Sequence, residues 1–339
     1  MNRFFREGKI LTFKFLRVDY YYTMTTPRIE QVLRASIDNL YVGGEEFLRE
    51  IESGLGTKPV SAPKVGYQGV AGAFGEQAAL ECFGKNAVSF TNYREFDDVF
   101  AALEHGEIDY GVLPIENSTA GDVLEVADLI TRCNLHVVGE HILRVRHNLL
   151  GVAGASVETV REVYSHPQAI SQCRDFLHRH GYINAYPYAN TALAAKYVAE
   201  TGDPAKASIG SLRAAELYGL EVLEENIQTV AHNYTRFVIL SKHMEITRQS
   251  DKISLAFSTA HKSGALYGVL AHFAYNGLNL LKIQSRPKHG TPWEYIFFLD
   301  VAGNLEDANV LIALGKVREQ SSWFKLIGNY PHFRAGPEQ

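Results

Sequence analysis

The chain has 339 residues, of which 46% are hydrophobic and 21% are charged, and this length suffices for two or more domains. Its formal net charge of -5 argues against a nucleic acid as the main partner, because binding to phosphates requires a basic face. No apolar run reaches the roughly 20 residues that a transmembrane helix needs. We therefore expect neither a nucleic acid nor a membrane as a partner.

The cysteines and histidines indicate neither disulfides nor a metal site. Cys82, Cys133 and Cys173 lie far apart and form no CxxC pair, which is typical of reduced thiols in a cytoplasmic protein. The 13 histidines lack ligand spacings such as HExxH, so we predict no bound metal. Residues 1–24 lack the uninterrupted apolar core of a secretory signal. We interpret them as a flexible tail, or as the product of an upstream start codon with the natural start at Met24.

Residues 1–63 are predicted to form an N-terminal extension. A helix begins at Thr26 and Pro27, which combine a hydroxyl cap with a proline at the first helical position. Its apolar residues share one face as far as Tyr41, and two glycines then interrupt the pattern. The sequence EEFLREIE predicts a short second helix, and the composition of residues 53–64 predicts a linker.

The next segment, residues 64–243, alternates short apolar strands with amphipathic helices, which predicts parallel βαβ units. Crossing segments near residues 141–152 and 224–234 suggest two α/β lobes, the second spanning about 145–228. A cleft between two such lobes is a common small-molecule site. Residues 252–331 then follow a β-α-β-β-α-β order, which fits the ferredoxin-like layout.

Polar clusters fall where predicted strands and helices end. GYQGVAGAFGEQAA contains spaced glycines that suit either an anion at a helix start or a plain tight turn, and we leave both open. PIENSTAGD, residues 114–122, follows a buried strand with amides and hydroxyls that suit a carboxylate ligand. Helix capping is the simpler account of this loop taken alone, and of Asn190 and Thr191 in the second lobe.

The stretch NYTRF, residues 233–237, opens a strand with consecutive polar side chains. The guanidinium of Arg236 is a permanently charged fork that suits a carboxylate. A structural salt bridge would also explain Arg236, but it gives no reason for Asn233 and Thr235 beside it.

Taken together, these motifs resemble the prephenate dehydratase family over roughly residues 64–331. The matching stretches are GYQGVAGAF, DYGVLPIENSTAGDV, VYSHPQAISQC, NTA, AAELYGL and NYTRF. The tail resembles the ACT regulatory domain of that family through GAL, QSRP and HGTPWEYIFFLD. The resemblance implies an α/β catalytic domain at residues 64–243, two-lobed and periplasmic-binding-protein-like (type 2). A ferredoxin-like ACT domain would follow at residues 252–331.

The resemblance also implies the site and its chemistry. Thr235 matches the catalytic threonine of the family. Prephenate loses carbon dioxide and water, and aromatisation drives the reaction, so no cofactor is expected. We expect Thr235 to hydrogen-bond the leaving hydroxyl, with Glu116 as its proton relay. The predicted substrate-binding residues are Asn117, Ser118, Thr119, Gly121, Thr191, Asn233, Arg236 and Phe237, of which Arg236 and the loop at 118–119 would clamp a carboxylate.

The ACT resemblance implies feedback inhibition by L-phenylalanine and a homo-oligomer, either a dimer or a tetramer. The expected effector residues are Gly264, Ala265, Leu266, Gln284, Ser285, Arg286 and Pro287. Gln284 stands where the family usually has glutamate, so the site keeps an acceptor and loses a charge.

Other functions stay open from the sequence. The longest family members carry a helical chorismate mutase domain, and residues 27–53 are too few for one, so we predict no mutase activity. Arogenate dehydratase is an alternative activity, because arogenate differs from prephenate by an ammonium in place of a ketone. A non-catalytic small-molecule sensor is the alternative of another class.

Overall fold

The computed structural model describes residues 45–288, 291 and 293–333. The described residues divide into a larger unit, residues 54–256 with 325–333, and a smaller unit, residues 45–53 with the described part of 257–324. The helix predicted to begin at Thr26 lies outside the described residues. The short helix predicted from EEFLREIE is present as α1 (Glu45–Gly54).

The first lobe of the larger unit is built on a six-stranded sheet. Its strand order is β2-β1-β3-β11-β5, with β4 paired to β3. The strands are β1 (Lys64–Gln68), β2 (Ser89–Tyr93), β3 (Tyr110–Asn117), β4 (Gly121–Asp122), β5 (His136–Arg144) and β11 (Tyr234–Ser241). The helices of this lobe are α2 (Phe74–Phe83), α3 (Phe96–His105) and α4 (Leu124–Arg132).

The second lobe has its own five-stranded sheet, in the order β10-β6-β9-β7-β8. The strands are β6 (Asn148–Gly151), β7 (Glu162–Ser165), β8 (Asn184–Pro187), β9 (Lys206–Gly210) and β10 (Glu221–Glu224). The helices are α5 (Pro167–Gln172), α6 (Arg174–Arg179), α7 (Thr191–Thr201) and α8 (Leu212–Tyr218). The chain crosses between the lobes at residues 145–147 and 225–233, in agreement with the two predicted crossings.

Local sequence signals set the helix ends. The Glu95 side chain accepts from the third helical N–H of α3, and Asp98 reaches back to the N–H of Glu95, which forms a capping box. The same helix ends at Gly106 with φ +73°, a conformation that glycine adopts without strain. Ser211 caps α8 by accepting from the N–H of Ala214.

The two sheets are mixed, so the predicted parallel βαβ units account for only part of their strand pairs. β1 is parallel to β2 and β3, and β7 is parallel to β8 and β9. β11, however, is antiparallel to β3 and β5. The chain returns from the second lobe into β11. The first residues of β11 therefore pair with the last residues of β3. The start of β11, with the sequence NYTRF, therefore lies beside the PIENSTAGD loop.

The remaining elements follow the predicted β-α-β-β-α-β order. They are β12 (Lys252–Ser258), α9 (Ala265–Tyr275), β13 (Leu280–Pro287), β14 (Tyr295–Ala302), α10 (Ala308–Gln320) and β15 (Trp323–Tyr330). The sheet order is β13-β14-β12-β15, so β13 is an edge strand. Across the described ranges, no helix is both long enough and apolar enough to cross a membrane.

Candidate active site

The register of β11 against β3 sorts the predicted site residues onto two faces of one sheet. Thr235 lies opposite Asn117, and Arg236 lies opposite Glu116. Side chains alternate along a strand, so Thr235 and Asn117 share one face while Arg236 and Glu116 share the other. The sequence stretch NYTRF therefore serves two separate environments.

Asn117 organises the face that contains Thr235. Its Oδ1 accepts from the backbone N–H groups of Thr119 at 3.0 Å and Ala120 at 2.8 Å, which fixes the orientation of its amide. Its Nδ2 therefore points the other way and donates to Asn233 Oδ1 at 2.8 Å and to Thr235 Oγ1 at 2.9 Å. The amide thus joins the PIENSTAGD loop to the start of β11.

Thr235 is buried, with 9% of the residue exposed. Because its oxygen accepts from Asn117 Nδ2, its own proton remains available for a further hydrogen bond. Over the described part of the chain, that proton has no acceptor. The arrangement suits donation of a hydrogen bond to a bound molecule.

The loop before β4 is tied to β11 by its own backbone and by Ser118. The N–H of Ser118 donates to the carbonyl of Tyr234 at 2.8 Å, and the N–H of Tyr234 donates to Ser118 Oγ at 2.9 Å. Gly121 has φ +84°, which side-chain-bearing residues rarely adopt, and it lets the chain turn back to pair with Asn117. These contacts hold the loop in place beside Thr235.

Gln172, the last residue of α5, brings the second lobe into the site. Its Nε2 donates to Thr119 Oγ1 at 2.8 Å, and its Oε1 accepts from Asn233 Nδ2 at 3.3 Å. His147, in the first crossing, lies 2.8 Å from the same Oε1 through its Nε2. Burial lowers the pKa of His147, so its ring stays neutral at physiological pH.

Sequence reasoning did not select either Gln172 or His147 as a site residue. VYSHPQAISQC contains Gln172, but its side chain reaches the first lobe only through the packing of α5 beside the cleft. A polar residue that ends a helix following a sheet strand was the available signal.

Arg236 is engaged by the protein itself. Its Nη2 donates to Glu116 Oε2 at 2.9 Å and its Nη1 donates to Glu140 Oε2 at 3.3 Å. Its side chain is only 14% exposed. The structure therefore differs from the prediction that Arg236 clamps a substrate carboxylate, and the salt-bridge interpretation accounts for it. The structure also differs from the prediction that Glu116 is the proton relay. The carboxylate of Glu116 lies on the face of the sheet opposite to Thr235, where it accepts from Arg236.

Two further predicted residues lie apart from this cluster. Phe237 is 2% exposed and packs in the apolar core with Tyr67 and Leu143, so its ring is a core group. Thr191 is the first residue of α7, and Asn190 caps that helix by accepting from the N–H of Leu193 at 2.8 Å. Among the described residues, Thr191 makes no hydrogen bond with Asn117 or Thr235.

Backbone groups of the glycine-containing loop that follows β1 form hydrogen bonds with side chains of the protein. The N–H of Gly72 donates to Glu76 Oε2 at 2.8 Å, so the anion at this helix start is the chain's own carboxylate. Ser211 Oγ donates to the carbonyl of Gly72 at 3.0 Å, and the Tyr218 hydroxyl donates to that of Ala71 at 2.9 Å. These contacts favour the tight-turn interpretation and join the two lobes.

The segment that contains these residues is similar to known proteins. The family model described as prephenate dehydratase matches residues 65–245, just over half of the chain. The chain belongs to the prephenate dehydratase family. It is similar to a bifunctional chorismate mutase/prephenate dehydratase of Neisseria gonorrhoeae, with 39% identity over 79% of this chain and 74% of the relative. It is also similar to arogenate dehydratase/prephenate dehydratase 1, chloroplastic, of Arabidopsis thaliana, with 37% identity over 80% of this chain and 72% of the relative.

Solved structures have the same fold as this chain over 79% of its length. One is prephenate dehydratase from Arthrobacter aurescens in complex with L-Phe, with a TM-score of 0.73, 27% identity and coverage of 79% of this chain and 90% of that one. Another is GqqA, described as a novel type of quorum quenching acylase, with a TM-score of 0.72, 30% identity and coverage of 79% and 97%. The confirmed fold class is a mixed α/β chain.

The predicted effector residues fall in two places within the smaller unit. Gly264 has φ +79° and precedes α9, and Ala265 and Leu266 line a cavity of about 170 Å³ with Tyr295 and Phe297. Gln284, Ser285, Arg286 and Pro287 lie in β13, paired with β14. Among the described residues that line the cavity, none comes from this QSRP stretch.

Asn117→Asp tests the amide that supports Thr235. The carboxylate oxygen that replaces Nδ2 cannot donate, and it would face the oxygens of Asn233 and Thr235. Loss of a buried hydrogen bond costs about 1–3 kcal/mol, so we expect kcat to fall about ten- to a hundredfold. Steady-state kinetics measure the change in kcat. Asn92→Asp is the control, because it makes the same change in an exposed side chain. Unchanged kcat in Asn117→Asp would contradict the role of the amide.

Proposed function

We propose that the chain catalyses the decarboxylating dehydration of prephenate to phenylpyruvate on the route to L-phenylalanine, in the cytoplasm. The observation that carries this proposal is the hydrogen bond from Asn117 Nδ2 to Thr235 Oγ1. It occupies the oxygen of the hydroxyl and leaves the proton for the substrate.

In the proposed reaction, Thr235 donates to the ring hydroxyl of prephenate as its bond to carbon breaks. The bond from the ring to the carboxylate breaks as well, and its electrons complete the aromatic ring as carbon dioxide leaves. The departing hydroxide gains a proton and leaves as water. The amides of Asn117 and Asn233 cannot transfer a proton to the hydroxyl, so solvent returns the proton to Thr235. No redox cofactor enters this balance.

Substrate contacts are proposed for the residues that surround Thr235. Asn117, Ser118, Thr119 and Gly121 form the loop on the first lobe, and Asn233 lies beside them. Thr191 would contribute from the start of α7 in the second lobe. Closure of the lobes would strip water from the carboxylate that is lost and favour its departure.

An assay with purified protein tests the activity. Adding prephenate should produce the absorbance of phenylpyruvate, and a parallel reaction with arogenate measures the alternative substrate. The named arogenate dehydratase relative is the observation that favours including it. Turnover of arogenate alone would replace the proposed substrate, and turnover of neither would support a non-catalytic sensor.

The acylase description of GqqA does not change this proposal. Amide hydrolysis needs a nucleophile activated by a base. The ring of His147 bonds the amide of Gln172 rather than a hydroxyl group. The cleft contacts therefore support a hydroxyl that donates a proton rather than one that attacks.

We also propose that residues 252–331 form a ferredoxin-like ACT domain that senses L-phenylalanine. The cavity beside α9 combines Leu266 with the aromatic rings of Tyr295 and Phe297, which suit an apolar aromatic side chain. Pairing of two copies through the edge strand β13 would bring the QSRP stretch into such a site. The exposed apolar residues on α9 and β13 support a homodimer or tetramer, and they are Tyr267, Tyr275, Leu281 and Ile283.

Increasing L-phenylalanine is therefore expected to lower dehydratase activity. Leu266→Arg would place a charged side chain in the cavity, so inhibition should be lost while activity without effector is kept. Rates measured with L-phenylalanine and D-phenylalanine provide the comparison. A flat response of the unmodified protein to L-phenylalanine would reject the sensor role, and Gln284 would be the first residue to examine.

A further inference from the structure

We propose that His147 is a positioning residue that holds the Gln172 amide in place, and with it the contacts of Asn233 and Thr119 beside Thr235. It acts through Gln172, and the inference rests on the proposed role of Thr235. The structure supports it through a series of amide orientations that begins at backbone groups and ends at the imidazole ring.

The position of His147 is fixed from several sides. It lies in the first crossing between the lobes, and only 2% of the residue is exposed. Its carbonyl accepts from the N–H of Ile227 at 2.8 Å, and its N–H donates to Gln228 Oε1 at 2.9 Å. The ring meets the edge of Phe74, with the centroids 5.7 Å apart. The imidazole therefore has little freedom to turn away from Gln172.

The orientation of each amide follows from the one before it. Backbone donors hold Asn117 Oδ1, so its Nδ2 faces Asn233 at 2.8 Å and that partner atom must be an oxygen. Asn233 therefore turns its own Nδ2 to Gln172, 3.3 Å away, and the Gln172 atom there must be an oxygen. The same oxygen lies 2.8 Å from His147 Nε2, so His147 must donate from Nε2.

This assignment defines the tautomer of His147. A neutral ring with its proton on Nε2 has none on Nδ1, and Nδ1 is buried without a partner in the described structure. A buried acceptor without a partner is tolerated better than a buried N–H donor without one. Burial also lowers the pKa of His147, in keeping with the neutral ring.

The proton on Nε2 has consequences for the residues that surround Thr235. It holds the Gln172 oxygen on its side, so the Gln172 Nε2 donates to Thr119 Oγ1 at 2.8 Å. The Thr119 proton is then directed to Asn117 Oδ1 at 2.7 Å. Without the donor on His147, the Gln172 amide loses the partner that keeps it from rotating, and the contacts of Thr119 and Asn233 loosen together.

The first experiment is independent of catalysis. Nitrogen-15 NMR of the protein with labelled histidine reports which ring nitrogen carries the proton, and His147→Gln identifies the resonance by its loss. We expect the neutral Nε2–H form. A proton on Nδ1 alone, or a charged ring at neutral pH, would overturn the proposal whether or not prephenate is the substrate.

The second experiment compares two amide replacements of different length. The side-chain nitrogen of glutamine reaches about as far as Nε2, whereas that of asparagine falls short of Gln172. We expect His147→Gln to keep kcat within about threefold, and His147→Asn to lose about ten- to a hundredfold in kcat with little change in KM. Thermal unfolding of both variants checks that they fold.

Gln172→Ala completes the test. If His147 acts through Gln172, His147→Asn should lower kcat little further in a Gln172→Ala background. Equal kcat in His147→Gln and His147→Asn, or additive losses with Gln172→Ala, would overturn the proposal. Lack of prephenate turnover by the unmodified protein would instead reject the proposed function, while the NMR result would still test the tautomer.

Discussion

Thr235→Val is expected to remove most of the dehydratase activity while the protein stays folded. Valine has nearly the shape of threonine, so the buried position beside Asn117 stays filled. The donor to the leaving hydroxyl is lost, and a positioned acid typically contributes about a hundred- to ten-thousandfold in rate. We expect a loss of kcat in this range, measured by the formation of phenylpyruvate.

Thr235→Ser is the matched control for this variant. Serine keeps the hydroxyl that accepts from Asn117 and loses a methyl group, so it should retain far more activity than valine. Part of any effect of valine also comes from Asn117 Nδ2, which loses one of its acceptors. Circular dichroism and thermal unfolding show whether this lost bond disturbs the fold. Near-normal turnover by Thr235→Val would mean that another group assists the leaving hydroxyl.

Glu140→Leu is expected to lower the free energy of unfolding more than any other substitution proposed for this protein. The Glu140 side chain is fully buried, and its Oε2 accepts from Lys252 Nζ at 2.8 Å and from Arg236 Nη1 at 3.3 Å. Its Oε1 accepts from the N–H of Phe333 at 3.0 Å. Removal of this carboxylate leaves the 5%-exposed Lys252 side chain without this buried counter-charge. Breaking a buried ion pair in this way costs about 3–5 kcal/mol.

Urea denaturation measures the change in the free energy of unfolding for Glu140→Leu. The double variant Glu140→Leu with Lys252→Met removes both charges, so it should recover part of the loss, because the buried ammonium that lost this carboxylate is removed as well. Lys316→Met, in an exposed pair with Glu319, is the control, and its effect should stay below about 1 kcal/mol. A loss for Glu140→Leu as small as that of the control would contradict the buried-pair account.

The ion cluster of Glu116, Glu140 and Arg236 and the hydroxyl of Thr235 both involve β11. Arg236, which joins Glu116 and Glu140, is the immediate neighbour of Thr235 on β11. The two residues face opposite sides of the sheet. The guanidinium therefore holds β11 to β3 and β5 on one face of the sheet, while the hydroxyl contacts Asn117 on the other face.

The element order and the family could be predicted from the sequence because both depend on local patterns. Periodicity and turn residues marked the strands and helices, and the C-terminal β-α-β-β-α-β order appears as predicted. The motifs were specific enough to indicate the prephenate dehydratase family, which the family model then matched over residues 65–245. The importance of Thr235 followed from the same motifs and stays a proposal.

Strand direction and register explain where the structure differs from the expectations from sequence. The predicted parallel βαβ pattern does not extend to β11, because the direction of a strand depends on where the chain re-enters the sheet. Arg236 and Thr235 are adjacent in sequence, yet the pleat sends them to opposite faces, so only one of them joins Asn117. The same alternation removed Glu116 from the face of Thr235.

The amino-acid sequence by itself determined the order of the elements, the polar motifs at their ends and the family to which they belong. Those features need only neighbours along the chain. The tertiary structure decided which partners the polar groups take: Glu116 and Glu140 for Arg236, Asn117 for Thr235, and Gln172 with His147 for Asn233. Such partners come from lobes and strands far apart in sequence, and only the paired register of the folded sheets brings their hydrogen-bonding atoms within reach.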